Sequence, residues 1–133
     1  MRSCVRGTVL LTSSSFLATI GPPVDGPLEV QYYQTEDGHR PFKRWLDSLD
    51  TAVQQVIDAR LTRVRRGLLG DAKLLGGGLW ELKFDVGPGY RIYFGKDGKT
   101  VVILLDAGDK KRQKSDIERA REYWADYLGR TRK

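Results

Sequence analysis

Leu79-Trp80-Glu81-Leu82-Lys83-Phe84-Asp85-Val86-Gly87-Pro88-Gly89-Tyr90-Arg91-Ile92-Tyr93-Phe94 reads as a β-hairpin, and this reading decides the fold. Trp80, Leu82, Phe84 and Val86 share one face, with Glu81, Lys83 and Asp85 on the other, because successive strand side chains point to opposite sides. Gly87-Pro88-Gly89 breaks the run and turns the chain. Tyr90, Ile92 and Phe94 then alternate with Arg91 and Tyr93. Apolar faces must coincide across paired strands. A loop over Gly87–Gly89 meets that condition by setting Phe84 opposite Ile92 and Leu82 opposite Phe94. On the other face Asp85 then opposes Arg91, and Lys83 opposes Tyr93. Lys83 and Arg91 become diagonal neighbours, roughly 7–8 Å apart at the backbone. Two cations and a phenol share a sheet face that helices on the opposite side would leave open. The plainer alternative is an ordinary half-exposed sheet in which Arg91 pairs with Asp85.

Elements extend on both sides of this hairpin. Asp97-Gly98 marks a second hairpin turn, and Val101 to Leu105 is an apolar run fit for a central strand. Gly108 to Lys114 reads as a basic loop. Ser115 and Glu118 are spaced as a capping box for a last helix with the stripe Ile117, Ala120, Trp124, Tyr127 and Leu128. Upstream, Leu28 to Tyr33 favours a strand. Pro41, Phe42, Trp45, Leu46 and Leu49 follow at helical spacing. Thr51 and Gln54 suggest a capping box for a longer helix with the stripe Val53, Val56, Ile57, Leu61, Val64 and Leu68. Its arginines, Arg60, Arg63, Arg65 and Arg66, read as a solvated face. The predicted class is α+β: a mainly antiparallel four-stranded sheet, a helical hairpin and a C-terminal helix.

Composition bounds the function. The chain has 133 residues, enough for one domain, with a net charge of +6 that favours polyanionic partners. A hydrophobic fraction of 40% with 30% charged residues is that of a folded globular chain. One cysteine (Cys4) and one histidine (His39) permit neither an internal disulfide nor a Cys/His zinc site. Cytoplasmic location is the simplest expectation. The N-terminal stretch faintly imitates a signal peptide but is too diluted by Thr12 and Ser13-Ser14-Ser15 and too short to span a membrane. Residues 1–27 are expected to be a non-core extension ending in a Pro/Gly linker, with the functional domain over 28–133. Gly76-Gly77-Gly78 is no phosphate-binding loop, since no helix with a Lys-Ser/Thr signature follows it. Trp45, Trp80 and Trp124 sit on apolar stripes and read as core anchors.

The hairpin, together with Val102-Ile103-Leu104-Leu105 and Gly108-Asp109-Lys110, resembles the RelE/ParE toxin superfamily. Within it, the similarity is to the phage Gp49-like, HigB-type branch of addiction module killer proteins. The resemblance covers about Leu28 to Leu128 and implies a small RelE-like domain. There are two departures: the family usually has arginine where this chain has Lys83, and two glycines where it has Ala107-Gly108. Lysine keeps the charge but loses the bidentate fork. The resemblance implies the toxin of a type II toxin–antitoxin pair, cutting ribosome-bound mRNA without metal or cofactor. It also implies a helix-turn-helix antitoxin held in a hetero-oligomer, and no membrane partner.

In that chemistry a ribose 2′-OH attacks the adjacent phosphate, which needs a base, an acid and positive charge. The candidates are Arg91 as phosphate clamp, Lys83 as base or charge stabiliser, Lys110 as second clamp or acid, and Tyr93 in stacking or proton transfer. Lys73, Lys111, Arg112 and Lys114 are candidate RNA contacts, or a solvated loop. Two other expectations stand beside this one: a ParE-like toxin that binds gyrase without cleaving RNA, and a non-toxic, phage-derived RNA-binding protein.

Overall fold

In the computed structural model, which describes residues 27–131, the chain builds an α+β fold. The extension expected at the N-terminus lies almost entirely outside those residues. The order is β1 (Glu29–Tyr32), α1 (Pro41–Asp47), α2 (Thr51–Arg65), β2 (Ala72–Gly76), β3 (Leu79–Lys83), β4 (Tyr90–Asp97), β5 (Val101–Asp109) and α3 (Gln113–Thr131), with a 3-10 turn at Lys110–Arg112. The sheet runs β1-β5-β4-β3-β2. Only β1 pairs in parallel, with β5; the other neighbours are antiparallel.

The sheet has five strands where four were expected. The added one, β2, occupies what read as a glycine-rich loop. Its short apolar run hydrogen-bonds along β3, and Gly76, Gly77 and Gly78, all at positive φ, make the turn between them. Lys73 thereby lies directly across from Glu81.

The helical stripes fall where periodicity placed them, with two exceptions. Phe42 and Leu46 of α1 and Ile57, Leu61 and Val64 of α2 pack on one sheet face with Leu82, Phe84, Ile92, Phe94, Val102 and Leu104. Val56 and Leu68, expected in the stripe, are exposed. Neither expected capping box forms. Asp50 precedes α2 without a side-chain cap, and the Gln54 side chain donates to the Leu49 carbonyl instead. Helix α3 starts at Gln113, so Ser115 lies inside its first turn and donates to the Arg112 carbonyl.

The opposite sheet face is not open, as the sequence had suggested. Helix α3 lies across it, burying Ala120 and Trp124 against Leu79, Tyr93, Ile103 and Leu105. Gly95 permits this approach: a Cβ there would stand 2.3 Å from the Trp124 ring. The Trp124 indole N–H then donates to the Gly77 carbonyl at 2.8 Å.

Candidate nucleic-acid interface

The hairpin register is shifted by two residues from the one predicted. Lys83 pairs with Arg91, Glu81 with Tyr93 and Leu82 with Ile92. An even shift keeps every side chain on its predicted face but changes its neighbours. The cause is a longer connection, closed where the Phe84 N–H donates to the Tyr90 carbonyl at 2.9 Å. Asp85 therefore sits in the loop rather than opposite Arg91.

Arg91 and Glu81 are both buried, 7% and 6% exposed, which gives Arg91 a different ionic partner from the expected Asp85. Their closest approach, Arg91 Nε to Glu81 Oε2, is 3.7 Å, too long for a hydrogen bond. Glu81 Oε2 instead accepts from Gln113 Nε2 of α3 at 2.6 Å. Arg91 Nε and Nη1 have no hydrogen-bonding partner among the described residues. Buried donors left unmade cost about 1–3 kcal/mol each, so this guanidinium is held in place with its hydrogen-bonding capacity largely unused.

Around Arg91 a recess of about 380 Å³ is lined by Lys83, Asp85, Gly87, Pro88, Gly89 and Lys110. Lys83 and Lys110 are exposed at its walls. The structure thus brings together three of the four candidate catalytic residues. The fourth, Tyr93, is fully buried beneath α3, and its hydroxyl has no partner among the described residues. Burial, followed by the negative charges of Glu81 and Asp116, pushes that phenol well above its ordinary range. A ring so placed supports the sheet and does not face a substrate.

The basic loop is more ordered than expected: Gly108 and Asp109 end β5, the 3-10 turn follows, and Asp109 caps it by accepting from the Lys111 N–H. Lys111, Arg112 and Lys114 are exposed around this turn. Lys73, also exposed, lies on the face shared by Glu81, Lys83 and Arg91.

Sequence reasoning missed the acidic and amide groups under α3. The Asp116 carboxylate rests on Gly108, where a Cβ would meet Oδ2 at 2.0 Å. Burial raises the Asp116 pKa against the opposing pull of Arg119. Arg119 spans two acids, donating to Asp106 at 2.5 Å and to Asp116 at 2.7 Å. The alternation of the hairpin had already put Glu81 on the face of Arg91; its role was hidden by the register. Nothing local in the sequence pairs Asp116 with Gly108. Among the described residues no three His, Cys, Asp or Glu side chains converge as metal ligands, and no helix is long and apolar enough to cross a membrane.

Comparison with known proteins agrees with this architecture. A double arginine-to-alanine mutant of the E. coli toxin RelE, solved in the free state, superposes with a TM-score of 0.50 at 18% identity, covering 70% of this chain and 97% of that one. An uncharacterised protein of Haemophilus influenzae is 40% identical over 81 residues, 60% of this chain and 82% of its own. Residues 44–124 match the family described as Phage derived protein Gp49-like (DUF891). That match spans more than half of the sequence: the chain belongs to the phage-derived Gp49-like family, on a fold shared with the toxin RelE.

Proposed function

We propose that this protein is the toxin of a toxin–antitoxin pair and acts in the cytoplasm as a metal-independent endoribonuclease on ribosome-bound mRNA. The observation that carries the reading is the convergence of Lys83, Arg91 and Lys110 on one recess, in a chain of the Gp49-like family. Three cations around one opening suit a pentacoordinate phosphorane, whose charge exceeds that of the ground-state phosphodiester. The 2′-OH attacks phosphorus and the P–O5′ bond breaks, leaving a 2′,3′-cyclic phosphate and a 5′-hydroxyl. Arg91 supplies donors to the equatorial oxygens. Lys83, across the strand pair, stabilises the charge that the 2′-OH proton leaves or, as the neutral amine, takes that proton itself, and Lys110 clamps the phosphate or protonates the leaving oxygen. Glu81 and Gln113 position Arg91, and Tyr93 packs beneath it. Lys73, Lys111, Arg112 and Lys114 extend the positive surface along the RNA. The antitoxin, a small helix-turn-helix protein in the resembled branch, would silence the toxin by covering this surface or blocking ribosome entry.

The test is induced expression in a bacterial host lacking the antitoxin, with new mRNA 5′ ends mapped for wild type and Arg91→Ala. Growth arrest with ribosome-associated cuts that vanish in the variant is expected. Arrest with intact mRNA and gyrase-dependent DNA damage would overturn the mechanism in favour of a gyrase-binding toxin. Growth without arrest would leave a non-toxic binding protein.

A further inference from the structure

A second pocket, of about 470 Å³, opens between α1, the end of β5 and α3. Of its three carboxylates, Asp106 and Asp116 pair with Arg119 and Asp109 accepts from the Lys111 N–H, while Asp116 Oδ2 stays buried without a partner among the described residues. Two exposed guanidiniums, Arg44 and Arg112, remain at its walls, and neither makes an ion pair or a side-chain hydrogen bond with another described residue. Three flat rings line it as well: His39, Trp45 and Tyr123, each half-buried. The pocket therefore offers two exposed guanidinium groups beside aromatic surface.

That combination matches a nucleotide of single-stranded RNA, which presents an anionic phosphate and a base with an apolar π-face. An acidic peptide would answer the arginines but leave the rings unused. The pocket also adjoins the catalytic recess. Gly108, in its wall, is the cross-strand partner of Arg91. Lys110 lines the recess and Arg112 lines the pocket, from one 3-10 turn. Neighbouring nucleotides of one strand can occupy both.

Resting on the ribonuclease reading, we propose that this pocket holds a nucleotide flanking the scissile phosphate, with its phosphate on Arg44 and Arg112 and its base against Trp45 and Tyr123. It is a subsite that sets affinity and base preference, and its residues take no part in bond breaking.

The probe is a fluorescein-labelled 2′-O-methyl RNA hexamer, which lacks the attacking hydroxyl, titrated against the full chain across a salt series. The variants are Arg44→Ala/Arg112→Ala and Tyr123→Leu, with thermal melting to confirm folding. The arginine pair should weaken binding about tenfold or more and reduce the salt slope by about 0.7–1, since both arginines hold one phosphate of a single strand. Tyr123→Leu should broaden the base preference next to the cut on ribosome-bound mRNA. Should that variant unfold, the salt slope of the arginine pair decides alone. Wild-type cleavage with affinity and slope unchanged in the arginine variant would overturn the pocket and leave the ribonuclease reading intact. A wild type that neither binds nor cleaves RNA would overturn both. Arginine variants that bind RNA normally but lose the antitoxin would reassign the pocket to a protein partner.

Discussion

Arg91 is where sequence, register and chemistry meet. It projects from β4 beneath the first turn of α3, beside Glu81 and across from Lys83. Arg91→Lys keeps one charge and loses the planar fork. If Arg91 clamps the transition state, its cleavage rate falls about a hundredfold or more with folding unchanged, as single-turnover kinetics and thermal melting would show. Glu81→Gln should act on stability first, because it leaves a buried guanidinium without its counter-charge. A loss of about 3–5 kcal/mol is expected in urea titration. Asp116 carries the pH prediction. Its folded pKa is raised by burial, so the native state holds its proton more tightly than the unfolded chain does. Stability therefore falls as pH climbs from the ordinary carboxylate value through the raised one, and stays lower above it. Asp116→Asn should remove that decline from the melting-temperature profile, and an identical profile would show that Asp116 does not cause it. At this scale the sequence was legible in part. Alternation put Lys83, Arg91 and Glu81 on one face, but it could not choose between registers two residues apart, since both satisfy the apolar pattern. That choice decided whether Arg91 faced Asp85 or Lys83.

At the scale of elements, the controlling contact is α3 on the sheet. Gly95 and Trp124 are complementary, one absent side chain admitting one large one. Gly95→Ala should cost about 1–3 kcal/mol through overpacking. Trp124→Ala should cost about 3–5 kcal/mol through the cavity it leaves. Both are measurable by urea denaturation. A Gly95→Ala variant as stable as wild type would mean that α3 shifts freely, which would also loosen Gln113 from Glu81 and Asp116 from Gly108. The stripe of α3 was readable from Ile117 to Leu128 because its period is helical. The surface receiving it was not, because Tyr93 read as part of an open face and Ile103 and Leu105 as one side of an apolar central strand. Strand β2 was missed for a related reason: three consecutive glycines signal a loop, yet here they form the tight turn that lets Ala72–Gly76 pair with β3.

For the whole molecule, the net charge of +6 has a structural distribution. Lys73, Lys83, Lys110, Lys111, Arg112 and Lys114 lie on or around the β3–β4–β5 end of the sheet and the turn into α3, where Glu81, Asp106 and Asp116 are buried beside Arg91 and Arg119, and Asp85 stays exposed at the recess. RNA affinity should accordingly fall steeply with salt. Lysine-to-alanine changes at Lys110 and Lys111 should each flatten the slope by about one, whereas Lys99→Ala, on the β4–β5 turn at the far end of β5, should leave it unchanged. Fold class and basic character were readable from the sequence. That Lys83, Arg91 and Lys110 gather at one recess beside the turn into α3 required the structure.

The most direct test of the central claim is to incubate the purified protein with ribosomes programmed with a defined mRNA and determine the chemistry of the new ends. For a metal-independent ribonuclease working through Arg91, the cuts bear a 2′,3′-cyclic phosphate and a 5′-hydroxyl, persist in chelator and disappear in Arg91→Ala. Intact mRNA with the wild-type protein, or equal cutting by Arg91→Ala, would contradict that claim.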